Sequence, residues 1–210
     1  MIEHIKWLGH ASFYIQTQPA IYIDPWRVVR TTKPADIILI THDHYDHCSI
    51  TDIEKLCDDK TIILANEKVK QRIPRATLIR PWQSMSFDKL SIKALPAYAP
   101  NGLQHKKSEG GLGFVISINY YDIYVTGDTG LIPEMLRISP DIVILPIDNN
   151  DTLNVEESII VLERLKVRWA IPSKWGGGNE GATKLDAEAF RKQAGGRVNV
   201  VLPERFVPDA

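Results

Sequence analysis

Apolar residues along this chain fall in short blocks broken by turn residues, the spacing of strands rather than of long helices. Ile2–Leu8, Ser12–Gln16 and Ala20–Asp24 read as three opening strands. Asp36–Ile40 (DIILI) is a continuous apolar run ending in a polar loop, the pattern of a strand buried on both faces. Thr51 with Glu54 forms a capping box that predicts a helix running to about Cys57. Thr61–Ala65 reads as a strand and Glu67–Arg72 as a short helix capped by Asn66. Strands follow near Thr77–Ile79, Met85–Phe87 and Leu90–Leu95.

The second part has the same texture. Leu112–Asn119 and Tyr121–Thr126 alternate well with almost nothing between them, so they predict a hairpin. A helix is expected near Ile132–Pro133, where proline suits a first turn. Ile142–Leu145 and Trp169–Ile171 read as strands, with a helix between them that opens on the Asn154/Glu157 capping box and ends near Leu165. A helix over Asp186–Gln193 and a strand over Val198–Leu202 complete the chain. Two strand-rich parts with short helices predict an α/β (α+β) fold in which two sheets meet face to face with helices outside, a four-layer αββα sandwich. No composition shift marks a boundary, Gly176–Gly178 is a loop too short for a linker, and residues 1–210 are read as one domain.

Composition narrows the picture in three ways. Lys plus Arg number 25 and Asp plus Glu 26, so no global basic field exists to attract nucleic acid or an anionic membrane. The opening MIEHIKWLGHASFYI lacks a basic segment followed by an uninterrupted apolar stretch, and no apolar run reaches the roughly 18 residues of a spanning helix. Cys48 and Cys57 make neither a disulfide framework nor a C-x-x-C pair, and free thiols fit a reducing cytoplasm.

The chemistry concentrates in Thr41–His47, THDHYDH, directly after the DIILI strand. Three histidines and two carboxylates in six residues suit Zn²⁺ and other divalent first-row ions. His42 and His44, two apart, can point to one ion, while Asp46 and His47 reach a neighbouring position. Asp43, between two candidate ligands, is expected to point away. Such clustering is costly without a partner, which favours a metal over a solvated loop.

H-x-H-x-D-H after a buried strand resembles the metallo-β-lactamase fold superfamily. WLGHASF at 7–13 and IYIDPW at 21–26 are similar to the opening of its UlaG-like group of metal-dependent hydrolases. AYAPNGLQHKKSEGGLGFVI at 97–116, YVTGDTGLIPEM at 124–135 and ILPIDNNDTLNVEES at 144–158 resemble later segments of that group in the same order. The resemblance implies that His42, His44 and His105 hold a first metal, that Asp46 and His47 contribute to a second, and that Asp128 bridges the two.

The resemblance breaks at one place. The group carries a late histidine in a segment like I-P-M-H, whereas this chain reads AIPSKW over 170–175 with Lys174 at that position, and no histidine follows His105. An ammonium cannot ligate a metal. Three readings follow: one metal with Lys174 standing in for the second cation, a weak second metal at Asp46, His47 and Asp128, or a relative that binds metal and turns over little. Diiron relatives place glutamate where His44 stands, so zinc is expected first, with manganese or iron(II) as alternatives, at one tight site with a weak second left open.

Three protein ligands leave an open position for water, whose pKa falls to about 7 on a zinc ion. The implied activity is hydrolysis by a metal-bound hydroxide of a small-molecule lactone, amide or phosphodiester, with Asp46 orienting the water and accepting its proton. Lys174 and the metal would stabilise the oxyanion. His10 reads equally as an auxiliary acid or substrate contact and as a hydrogen-bonded structural residue; Asp24 reads equally as a carboxylate orienting a ligand histidine and as a turn residue. Trp26, Trp82, Tyr98 and Trp175 stand near strand ends or loops, where they can line a pocket or simply pack, and His4 is read as a strand residue. The alternatives are a metal-dependent nuclease or phosphodiesterase, against which the near-neutral charge stands, and a metal-binding relative with little activity. The expected partner is a small-molecule substrate, not nucleic acid or membrane, and a homo-oligomer is left open.

Overall fold

A computed structural model describes residues 1–29, 34–176 and 181–207 of the chain. Residues 177 and 178 of the expected glycine loop lie outside that set. The first sheet contains β1 (Ile5–Gly9), β2 (Ser12–Ile15), β3 (Ile21–Ile23), β4 (Ile37–Ile40), β5 (Ile62–Ala65) and β6 (Thr77–Leu78) in chain order. The second contains β7 (Ser84–Phe87), β8 (Leu90–Pro96), β9 (Leu112–Ile118), β10 (Tyr121–Val125), β11 (Ile142–Pro146), β12 (Trp169–Ser173) and β13 (Asn199–Val200), also in chain order. Each sheet begins with antiparallel hairpins and ends in parallel strands, from β3 to β6 and from β10 to β13. The helices are α1 (Ile50–Leu56), α2 (Glu67–Arg72), α3 (Val155–Leu165) and α4 (Lys184–Ala194).

Period-two alternation builds the layers. In β4, Ile37 and Leu39 join the core shared with the second sheet, with Phe13, Phe114 and Leu95, while Ile38 and Ile40 face α1 and α2 through Ile53, Leu56 and Val69. Val161, Leu162 and Leu165 of α3 and Ala187 and Phe190 of α4 pack onto the second sheet's cluster. This is the αββα sandwich expected from the sequence. Among the described residues, no helix is long and apolar enough to cross a membrane.

Five local expectations need correction. Residues Ile2–His4 form a 3-10 turn rather than strand, and His4 sits in it exposed. The first helix is capped by Ser49, not Thr51: the Ser49 hydroxyl accepts from the Asp52 amide and donates to its carboxylate. Starting there buries Ile53 and Leu56 and lets Asp52 accept from the amides of Arg27 and Val28. The segment after Pro133 is a 3-10 turn, Pro133–Arg137. The last helix opens on Thr183, whose hydroxyl and Asp186 form a capping box, and only Asn199–Val200 of the final apolar run pairs as a strand.

Asp52 gives the first prediction. Burial alone would raise its carboxyl, but hydrogen bonds from Lys55, Ser49 and the Arg27 amide outweigh that and hold it below the ordinary carboxylate range. A depressed folded-state value contributes stability that is present above the unfolded carboxylate pKa of about 4 and lost as pH falls through the folded value. Asp52→Asn is therefore expected to cost about 1–2 kcal/mol at neutral pH. That corresponds to a melting-temperature drop of roughly 3–6 °C in a chain of this size. The gap between wild type and variant should narrow below about pH 4; a gap that stays constant with pH would show that the charge of Asp52 contributes nothing.

Candidate metal centre

The site assembles where strands of both sheets end. Asp24 follows β3, Thr41 and His42 follow β4, Asp128 follows β10, Asp148 follows β11 and Lys174 follows β12. His10 follows β1. The carboxyl ends of parallel strands form a crevice in open α/β sheets, and here two such crevices face each other. A backbone hydrogen bond from Leu112 N to Thr41 O (3.0 Å) locks the two rims together. His10, Asp24, His105 and Lys174 all adopt left-handed backbone (φ 53°, 44°, 54° and 59°), a conformation non-glycine residues hold only when their surroundings over-determine it.

His42, His44 and His105 each offer a ring nitrogen, all within 4.8 Å of one another. The hydrogen-bond network assigns the protons of His42 and His105. Thr41 Oγ1 donates to Asp24 Oδ2 (2.6 Å) and so accepts from His42 Nδ1 (2.9 Å), which leaves the lone pair on His42 Nε2. His105 Nδ1 donates to the Asp151 carbonyl (3.1 Å), leaving its Nε2 lone pair 3.2 Å from His44 Nδ1. His42 Nε2 is buried with no hydrogen-bond partner among the described residues. Burial first, and the neighbouring His47 second, hold His42 well below its ordinary pKa; burial and then His105 lower His44. Three ring nitrogens that converge, one of them buried and without a hydrogen-bond partner, form a set that could hold a cation. The cavity bordered by His42, His44, His105 and Asp128 measures about 10 Å³, room for one water-sized sphere.

His42 also belongs to a second triad with His47 and Asp128. Asp128 stands between the two, its Oδ2 lying 3.3 Å from His105 Nε2, 3.4 Å from His47 Nε2 and 3.8 Å from His42 Nε2. Asp46, expected beside His47, has its Oδ2 3.5 Å from His47 Nε2, and that oxygen also accepts from His10 Nε2 (2.9 Å) and from Lys174 Nζ (3.2 Å). Burial opposes ionisation of Asp46 and of Asp128. Hydrogen bonding from His10 overcomes it at Asp46 and the charges of His47 and Lys174 at Asp128, so both are held well below the usual carboxylate range. Burial would lower His47, yet Asp128 and Asp24 outweigh it and lift it to about 10 in the ion-free site.

Lys174 points inward and is 5 % exposed. Its ammonium meets Asp128 Oδ2 at 2.9 Å, Asp46 Oδ2 at 3.2 Å and His47 Nε2 at 3.5 Å. Burial disfavours that charge, but Asp128, Asp46 and Asp148 more than restore it and raise the lysine above its ordinary pKa. Two carboxylate oxygens accept from it, so its charge faces the acidic cluster. Asp24 Oδ2 accepts from His47 Nδ1 (2.7 Å), the contact expected of a carboxylate orienting a histidine.

Asp43 stays outside both triads; its carbonyl accepts from Arg72. Trp26 lies 5.2 Å from the His10 ring, and Trp175 bridges the His10 backbone while stacking on Trp7 at 4.5 Å. Tyr98 donates to Glu134 (2.9 Å), and Trp82 lies 40 % exposed beneath Lys93 and Arg137. Two residues escaped the sequence reading. Thr41 links Asp24 to His42, and its only sequence signal is its place at the strand end before His42. Asp148, accepting from Thr152 and raised by burial, adds a carboxylate near Lys174; its signal is the strand-end aspartate after ILPI.

Residues 4–174 match the model of a family described as a beta-lactamase superfamily domain. The UPF0173 metal-dependent hydrolase of Thermoplasma volcanium is 32 % identical over 182 residues, covering 80 % of this chain and 81 % of that protein. Its namesake in Pyrococcus furiosus is 29 % identical over 94 % of this chain and 95 % of its own length. Among solved structures, a proposed metal-dependent hydrolase from Parabacteroides distasonis superposes with a TM-score of 0.83 at 25 % identity, covering 95 % of this chain and 92 % of that one. Igni18, a metallo hydrolase from Ignicoccus hospitalis, shares the fold with a TM-score of 0.78 at 20 % identity over 96 % and 94 % of the two chains. This chain belongs to the metallo-β-lactamase superfamily, within its UPF0173 metal-dependent hydrolases.

Proposed function

We propose that the protein hydrolyses a small-molecule lactone, amide or phosphodiester with one divalent cation, zinc in our reading, held by His42, His44 and His105. The orphaned, buried His42 Nε2 beside converging ring nitrogens of His44 and His105 carries this proposal. When bound, such a cation acts as a Lewis acid and supplies a water nucleophile at neutral pH.

The chain's own groups do the positioning. Thr41 and the Asp151 carbonyl fix the tautomers of His42 and His105, so that each presents its Nε2. Asp46 orients the reacting water. Its Oδ2 already accepts from His10 and Lys174, so the orienting half of its expected role is the half we assign. His10, 3 % exposed and bonded to Asp46, positions that carboxylate instead of touching substrate. Lys174 balances the charge of Asp46 and Asp128.

The test is turnover by zinc-loaded protein on panels of lactones, amides and bis-p-nitrophenyl phosphate, with His44→Ala as the control. Turnover in one panel that falls at least about 100-fold in the variant is expected, the scale of losing an electrostatic stabiliser at the reacting centre. Full metal loading with no turnover in any panel would favour instead a metal-binding relative with little activity, a reading that the Lys174 ammonium in the second triad supports.

A further inference from the structure

Two triads share His42, yet they are not equivalent. His42, His44 and His105 converge with an unpartnered nitrogen among them. In the second, two of the three members, His47 and Asp128, already meet a positive charge, the Lys174 ammonium at 3.5 and 2.9 Å. An ammonium has only donors, and here two carboxylate oxygens accept from it, Asp128 Oδ2 at 2.9 Å and Asp46 Oδ2 at 3.2 Å.

The backbone is built to keep the lysine there. Lys174 N donates to the His10 carbonyl (3.1 Å), and its own carbonyl accepts from Ala182 N (2.8 Å). A Cβ at Gly181 would stand 2.3 Å from that carbonyl, so only glycine lets the returning strand close over it. The residue is held in left-handed backbone from both sides, with its long side chain buried along its length rather than free to swing into solvent.

We propose that Lys174 is a resident second cation: its ammonium closes the His42–His47–Asp128 triad to metal and makes this a one-metal centre. The proposal deepens the reading of the first triad and rests on it. A divalent ion bonded to His47 Nε2 and Asp128 Oδ2, which are 3.4 Å apart, would lie against the ammonium, itself 2.9 Å from the same Asp128 oxygen, and would have to displace it. A fixed ammonium brings one charge where a second ion would bring two, and it cannot be chelated away.

The test counts metal rather than turnover. Wild type, Lys174→His and Lys174→Met are stripped, reloaded by dialysis against excess zinc, and analysed for bound metal per chain, with thermal melts confirming that each is folded. The expected result is one ion in wild type and two in Lys174→His, which adds a neutral imidazole to the vacated triad. Lys174→Met, which removes the charge and adds no ligand, is expected to take its second ion at least tenfold more weakly than Lys174→His. Two ions in wild type overturn the proposal, as does a single ion in both folded variants. No ion in wild type overturns the first-triad reading and the proposal with it, whereas one ion in all three proteins leaves the first triad standing and removes only the role of Lys174. Mild chelation provides a second reading of the same idea: it is expected to remove the second ion from Lys174→His before the first, and removal of both together would contradict independent triads.

Discussion

Replacing His42 by alanine is expected to strip the centre of metal and to lower hydrolysis by about three orders of magnitude, the upper scale for losing a preorganised electrostatic element at a reacting centre. His42 is the ligand whose loss nothing can cover. It belongs to both triads, so no rearrangement of His44, His105, His47 and Asp128 replaces it. It is 6 % exposed, and its Nε2 has no hydrogen-bond partner to lose among the described residues. The folded metal-free protein therefore gives up little polar bonding on substitution, since only the Nδ1 contact with Thr41 disappears. Metal binding to the native state raises stability through mass action, by about 2.7 kcal/mol at a hundredfold excess over Kd. Wild type should gain that stabilisation on adding zinc, and His42→Ala should melt at the same temperature with and without it. Retention of one tight ion by His42→Ala, measured by equilibrium dialysis, would place the metal elsewhere.

How much of this site could be read from the chain depends on how local each contribution is. His42, His44 and His47 stand within six residues on one strand end, so residue type and spacing alone expose them. Asp128 and His105 are single residues in ordinary-looking loops. Only the order of the surrounding segments marks them, and the structure brings both to the His42 side through the hairpin of β9 and β10. Lys174 is visible as a departure from a pattern but not as a charge facing inward. Its direction depends on the His10 carbonyl and Gly181, which are remote from it or beyond the motif. Thr41 and Asp148 gave no warning, because hydroxyls and carboxylates at strand ends are usually solvated and acquire roles only when folding aligns them. The helix caps show the same limit. Ser49 and Thr51 are both acceptable cap residues by type, and tertiary demand, the pull of Asp52 on the amides of Arg27 and Val28, decides between them. The layering was more accessible, since period-two patterning fixes which face of each strand is buried.

Asp24→Ala is expected to produce the second large loss, and to divide it between stability and metal affinity. Asp24 is 2 % exposed, and its carboxylate accepts from Thr41 N (2.8 Å), Thr41 Oγ1 (2.6 Å) and His47 Nδ1 (2.7 Å). Removing it leaves the buried Thr41 amide without its acceptor, takes their best partner from the Thr41 hydroxyl and His47 Nδ1, and leaves His47 without one of the two carboxylates that lift its pKa. Breaking a buried charge arrangement of this kind costs about 3–5 kcal/mol. The loss also reaches the metal without touching it. Thr41 Oγ1, freed from Asp24, can turn its proton toward His42 Nδ1, and His42 then presents a protonated Nε2 in part of the population. Loss of such supporting contacts lowers metal affinity by about 10- to 100-fold. Asp24→Asn separates the two effects. Its amide oxygen can still accept from the Thr41 amide, so much of the stability should return. Its NH₂ would face the Thr41 hydroxyl and the His47 Nδ1 proton, so the metal affinity should stay low. Parallel zinc titrations and thermal melts of the two variants measure each part. Full recovery of affinity in Asp24→Asn would mean that Asp24 only ties the loop to β4, and that the proton on His42 is set by something other than Thr41.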